Sequence, residues 1–132
     1  MDNKFYVSLE AARLLKEKGY NEECTHVIWD DGDISEKYNL NQDIEYMCQF
    51  SCPTKAEAID WLDSKGMMIS VFYDNVGIIG KKRYRSIIDT LDKDGSESGL
   101  PIHLPSYDGY IRHYKTRLEA EEAAIIKALE LL

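Results

Sequence analysis

The chain is poor in the features that would let it dispense with an ordinary hydrophobic core. Its 132 residues hold three cysteines, Cys24, Cys48 and Cys52. An odd and small number excludes a disulfide scaffold, so we read them as reduced thiols, mostly buried small apolar side chains. Three prolines and eight glycines are too few for a low-complexity or fibrous chain. The longest apolar runs, such as Ile69 to Tyr73, cannot span a bilayer, and no apolar stretch follows Met1-Asp2-Asn3-Lys4. A cytoplasmic protein with no membrane partner is therefore expected. Basic residues are also the minority: 16 Lys and Arg against 24 Asp and Glu give a formal charge of −8, which works against non-specific adhesion to nucleic acid or anionic lipid. The imbalance is concentrated in residues 1–66, with fourteen acids to seven bases, whereas residues 67–132 carry ten and nine.

What remains is ordinary globular material: 44% apolar, 30% charged and 11% aromatic residues. A chain of this length buries roughly two-thirds of the surface its unfolded form exposes, enough for one domain over residues 1–132 without metal or cross-link. Three segments read as helices, each opened by a hydroxyl able to accept a hydrogen bond from a free backbone N–H. Ser8 precedes Leu9-Glu10-Ala11-Ala12-Arg13-Leu14-Leu15, and Gly19 follows as a left-handed stop. Thr54 with Glu57 forms a capping box behind Pro53; Ala58, Ile59, Trp61 and Leu62 supply the apolar stripe, and Gly66 ends it. Thr116 with Glu119 repeats the box, after which Leu118, Ile125, Leu129 and Leu132 share a face broadened by Ala124, Ile126 and Ala128. The repeated Thr-x-x-Glu-Ala is read as shared capping chemistry, not an internal duplication.

Between the helices the apolar period shortens to two and β-branched and aromatic residues take over. Thr25 to Trp29 is the first such run, Asp30-Asp31-Gly32-Asp33 supplies a turn, and an extended stretch between Ile34 and Phe50 is expected to return beside it. Met67 to Tyr73 and Arg83 to Leu91 predict an antiparallel pair. Ser96 to Ser106, rich in Gly, Ser and Pro, predicts a surface excursion before a short strand at about Tyr110 to Tyr114. The order α-β-β-α-β-β-β-α with short connections predicts an α+β fold: an antiparallel sheet of four to five strands with three helices packed on one face. The uncovered face would carry the Tyr, Lys and Arg residues of the later strands. Trp29 and Trp61 are read as core aromatics.

The segments Pro53-Thr54-Lys55-Ala56-Glu57-Ala58-Ile59-Asp60-Trp61-Leu62, Ser8 to Gly19 and Glu119 to Leu129 together resemble a family of small uncharacterised proteins of Bacteroides-type gut bacteria and their phages or prophages. The resemblance covers the three helices and their flanks, roughly half the chain. Its motifs are caps and core faces, so it implies a fold and a cytosolic, phage-linked accessory protein, and transfers no catalytic residue.

Templates for chemistry fail one after another. Asp92-Lys93-Asp94-Gly95-Ser96-Glu97 opens like a calcium loop, but Glu97 stands where that loop turns sharply on Gly, and His103 where it closes on Glu. Asp30, Asp31 and Asp33 read as a solvated turn. Cys24, His26, Cys48 and Cys52 form a complete donor set for tetrahedral zinc, yet neither Cys24-x-His26 nor Cys48-x3-Cys52 has the two-residue spacing that points both ligands inward. No nucleophile elbow, phosphate-cradling Gly-rich loop or His-Glu-x-x-His helix is present. No cofactor and no catalytic residue is assigned.

The strongest local anomaly is cationic. Lys81-Lys82-Arg83-Tyr84-Arg85 places four cations in five residues, and Arg112-His113-Tyr114-Lys115-Thr116-Arg117 adds a second basic stretch. If the two pair, they make a stripe with tyrosines interleaved. The expected function is non-enzymatic binding through an exposed Tyr/Arg sheet face, with Tyr73, Lys82, Arg83, Tyr84, Arg85, Tyr110, Arg112 and Tyr114 as contact residues. The partner is a protein or a second copy of the chain. The alternative is a single-stranded nucleic-acid binder using the Lys81–Arg85 and Arg112–Arg117 stripe, which ranks behind because the chain is acidic overall and because Lys and Arg also guard strand edges.

Overall fold

The computed structural model describes residues 3–36, 49–73, 84–92, 99–105 and 113–132. A short 3-10 turn, Asn3–Phe5, leads into α1, Leu9–Glu17. Then come β1 (His26–Trp29), β2 (Ile34–Glu36), β3 (Gln49–Ser51), α2 (Lys55–Ser64), β4 (Met67–Tyr73), β5 (Tyr84–Thr90), β6 (Ile102–Leu104) and α3 (Arg117–Leu131).

All three helices begin where their caps place them. Ser8 Oγ accepts the Ala11 N–H at 3.2 Å. At α2 both halves of the box form: Thr54 Oγ1 accepts the Glu57 N–H at 3.2 Å and Glu57 Oε1 accepts the Thr54 N–H at 3.0 Å. At α3 Thr116 Oγ1 accepts the Glu119 N–H at 3.1 Å, but Glu119 Oε2 reaches back one residue further, to the Lys115 N–H at 3.1 Å. The Ala11, Glu57 and Glu119 N–H groups are among the orphan donors a helix start leaves, and satisfying them is worth about 1 kcal/mol apiece.

The single sheet expected from the strand order is replaced by two three-stranded antiparallel sheets, β2-β1-β3 and β4-β5-β6. β1 has a neighbour on each side, pairing Val27 with Ser35 and with Ser51. The return beside the first strand is thus β2, and β3 is an additional strand that turns the order into α-β-β-β-α-β-β-β-α. The predicted pair of later strands forms with a seven-residue register from Met67↔Thr90 to Tyr73↔Tyr84. The stretch read as a surface excursion contains β6, which pairs Ser86 with Leu104 and Ile88 with Ile102. Leu104 is buried, and its burial outweighs the turn-forming composition around it.

The helices serve both sheets. α1 packs on β1 and β3, α2 on β4, and α3 on all three strands of the second sheet as well as on α1 and α2. Ala120, Ala124 and Ala128, spaced four apart, are wholly buried with Ile125 and Leu129. The alanines let neighbouring backbones approach; the larger pair fills the space between, each contributing about 1.5–3 kcal/mol of apolar burial. Two polar ties set direction: Glu122 Oε1 accepts the Ser8 N–H at 3.1 Å, and Lys18 Nζ donates to the Leu132 carbonyl at 2.9 Å. α1 and α3 therefore run side by side in the same sense. Trp61 is a core residue, edge-on to Tyr20 at 5.3 Å, whereas Trp29 is only half-buried and donates its Nε1–H to Ser35 Oγ at 3.0 Å.

Gly66 closes the junction of α2 and β4 with φ 84°, and its carbonyl accepts the Leu91 N–H at 2.8 Å. A Cβ there would lie 2.9 Å from the Leu91 carbonyl oxygen, whereas at Gly19, with φ 93°, it would meet open space. Gly19→Ala should therefore cost only the left-handed backbone strain, about 1 kcal/mol, and Gly66→Ala visibly more, because strain and collision add. Urea unfolding of the two variants checks this; equal losses would show that the Leu91 contact yields freely.

Candidate functional site

The two basic segments meet at Tyr84 and Tyr114. The Tyr84 N–H donates to the Tyr114 carbonyl at 2.9 Å and the Tyr114 N–H to the Tyr84 carbonyl at 3.0 Å. This bridge extends the second sheet beyond β6, and α3 starts three residues after Tyr114. Tyr84 lies edge-on to Tyr73 with ring centroids 5.6 Å apart. The Arg117 guanidinium sits 5.9 Å from the Tyr84 centroid, and its Nη1 donates to the Val71 carbonyl at 3.2 Å. Three tyrosines and an arginine thus gather at one end of the sheet.

The pleat divides the residues expected to share an open face. Cross-strand partners lie on one side, so Tyr73 and Tyr84 fall with Ile69, Ile88 and Leu104, on the side α3 packs against. Arg85, opposite Phe72, falls on the outer side with Met68, Ile87 and His103. A face centred jointly on Tyr73, Tyr84 and Arg85 is therefore corrected to two faces, because adjacent strand residues point to opposite sides. Tyr73 is 51% exposed and Tyr84 and Tyr114 are half-buried. Lys81, Lys82, Arg83, Tyr110 and Arg112 lie outside the described residues, as does Cys48.

On the helix-facing side Tyr84 and Tyr114 border a cleft of about 930 Å³. Its apolar lining is Tyr84, Tyr114, Leu118, Ala123 and Ile126; its charged groups are Lys4, Lys55, Lys115 and Arg117, with Glu119 and Glu122. Both acids already accept backbone N–H groups, Glu119 from Lys115 and Glu122 from Ser8. Glu122 Oε2 is shielded from solvent and has no hydrogen-bond partner among the described residues. Lys55 opens α2 yet is only 8% exposed, and its ammonium donates to the Lys4 carbonyl. Lys4, Lys55 and Glu122 were not expected here. The one sequence signal was a lysine in the first turn of a helix, where the macrodipole disfavours a cation and another reason for its place is needed.

Burial raises the Glu121 carboxyl above its ordinary range, and the nearby Arg117 and Lys55 pull it partway back. Burial likewise pushes the Cys52 thiol up to about 12, reinforced by Cys24 and Glu122 and opposed by Lys55. Cys24 and Cys52 are buried; Cys52 donates to the Val7 carbonyl at 3.6 Å, and Cys24 lies 3.5 Å from the Tyr20 hydroxyl. His26 Nδ1 lies 2.8 Å from Thr25 Oγ1 and 3.3 Å from the Tyr6 hydroxyl. Among the described residues no group of three or more His, Cys, Asp or Glu side chains is placed to hold a metal ion. In the first acidic cluster Asp31 Oδ1 accepts the Asp33 N–H at 2.9 Å, the bond of a side-chain-closed turn.

No family model, curated protein or solved structure shows a significant match to the chain. Among the described residues no helix is long and apolar enough to cross a membrane.

A carboxyl whose affinity for its proton rises on folding contributes stability at pH below its unfolded value, and loses it as pH climbs through the folded value. Glu121→Gln should therefore be more stable than the native chain at pH 7, with the gap closing below about pH 4. Urea unfolding across that range tests the sign. A gap that persists unchanged at low pH would remove ionisation of Glu121 as its cause.

Proposed function

We propose that this chain is a non-enzymatic binding protein whose contact surface is the cleft bordered by Tyr84, Tyr114 and Arg117, and that its partner is an acidic segment of another protein. The supporting observation is the contrast in charge: four cations against two carboxylates line a cleft bordered by Tyr84 and Tyr114, on a molecule whose formal charge is −8. Such a local reversal attracts a compact anionic group, while the negative remainder repels extended polyanions. Tyrosine and arginine give large contact energies with few torsions to freeze. A cytosolic, phage-linked accessory role belongs to the same reading, since an accessory protein of this kind acts by docking.

A second reading has one observation in its favour. The Tyr84–Tyr114 bridge joins the two basic segments, which a single-strand nucleic-acid binder would need in order to follow a phosphate backbone past stacked aromatics. Its weakness is the small number of cations beside two carboxylates.

Amide chemical shifts separate the readings. Titrated with a short Glu-rich peptide, the protein should shift at Tyr84, Tyr114 and Arg117, and Arg117→Ala should weaken binding about tenfold or more. Titrated with an oligo-dT ten-mer, it should shift little at 150 mM salt. Oligonucleotide affinity that climbs steeply as salt falls would replace the first reading by the second. If neither probe moves the cleft amides, the cleft is not the contact surface.

A further inference from the structure

The cleft has the build of a small-ligand site, and the chemistry of its walls narrows what it would take. At about 930 Å³ it lies at the upper end of the range of such sites, which are mostly apolar with a few fixed polar groups. Two observations about its charges are independent of its shape. First, Lys55 is more than nine-tenths buried, and among the described residues its ammonium makes one hydrogen bond, to the Lys4 carbonyl. An ammonium carries three donors, and burying the others without acceptors is unfavourable. Secondly, each carboxylate lining the cleft has one oxygen engaged by a backbone N–H, Glu119 by Lys115 and Glu122 by Ser8, which leaves Glu122 Oε2 as the buried oxygen without a partner among the described residues. Lys55, whose charge reaches Glu121, thus keeps ammonium donors without an acceptor among the described residues, and Lys115 stands exposed beside it, while Arg117 is held against Tyr84 and the Val71 carbonyl and acts as a wall.

We infer that the cleft is a site for a hydrophobic anion, a small molecule with an apolar or aromatic body and one anionic head. The head meets the Lys55 ammonium within and Lys115 at the mouth. The body lies along Tyr84, Tyr114 and Ile126. A carboxylate on an aliphatic chain and a nucleoside monophosphate share this chemistry. The inference rests on the reading of the cleft as the binding surface and goes beyond the acidic protein segment by giving the same surface a small-molecule ligand.

The aromatic sulfonate 8-anilinonaphthalene-1-sulfonate is a fluorescent probe of this class. Titration into the native protein should give saturable, one-to-one enhancement. Lys55→Met keeps the buried stem and removes the charge, and should weaken binding at least tenfold. Lys115→Glu, an exposed change that spares the fold, should do the same, while Lys127→Met, on α3 outside the cleft, should leave it unaltered. Displacement of the probe by decanoate identifies an aliphatic carboxylate as the natural head and body; displacement by adenosine monophosphate identifies a nucleoside phosphate. The inference is overturned if the probe does not bind, if it binds the Lys55→Met and Lys115→Glu variants as well as the native chain, or if neither competitor displaces it. Should the Glu-rich peptide still shift the Tyr84 and Tyr114 amides when the probe does not bind, the small-ligand inference falls and the binding reading stands. Silence from both ends both.

Discussion

The structure depends on the close approach that α3 permits. Its alanine stripe, Ala120, Ala124 and Ala128, is sealed on every side, and through it one helix touches α1, α2 and all three strands of the second sheet. Each sheet has only three strands, and its apolar face stays exposed unless something covers it. α3 covers the second sheet directly and reaches the first through α1, which it holds at both ends by Glu122 and Lys18. The bundle is therefore shared, and the two sheets are stabilised by a common helical layer.

The candidate site is a consequence of that arrangement. α3 begins immediately after the Tyr84–Tyr114 bridge, so its first turn is set down beside the end of the second sheet. Ahead of the alanine stripe the helix carries the longer side chains of Leu118 and Arg117, and these, with Lys115 just before the cap, line the cleft. α2 contributes from the other side, because its capping box ends the preceding chain at Thr54 and delivers Lys55 into the same space. Two cap motifs that carry no chemistry of their own thereby determine where the cations stand.

Cap chemistry is local, which is why the helices were legible: Ser8, Thr54 and Thr116 each find their donor within three residues. The long antiparallel pair was legible for a related reason, since alternation from Met67 to Tyr73 and from Tyr84 to Thr90 needs only the pleat. The division into two sheets was not, because β3 joins β1 across a long interval of chain and nothing in Gln49-Phe50-Ser51 announces its neighbour. β6 was hidden for the opposite reason. Its surroundings have turn composition, and only contact with Ser86 and Ile88 makes a strand of Ile102–Leu104. At the site, pairing of the basic segments was conditional in the sequence and is realised at Tyr84 and Tyr114. That Tyr84 and Arg85 face opposite ways follows from strand geometry and could have been read. The inward lysine could not, since Lys55 gains its place only when Lys4, fifty-one residues earlier, is brought beside it.

The shared-layer account is tested most directly by native-state hydrogen exchange in increasing denaturant. The amides of α3 from Ala124 to Leu129 should exchange only through global unfolding, with those of β1 and β5 merging into the same transition. Exchange of α3 through a lower-energy opening that leaves β5 protected, or separate transitions for the two sheets, would contradict it.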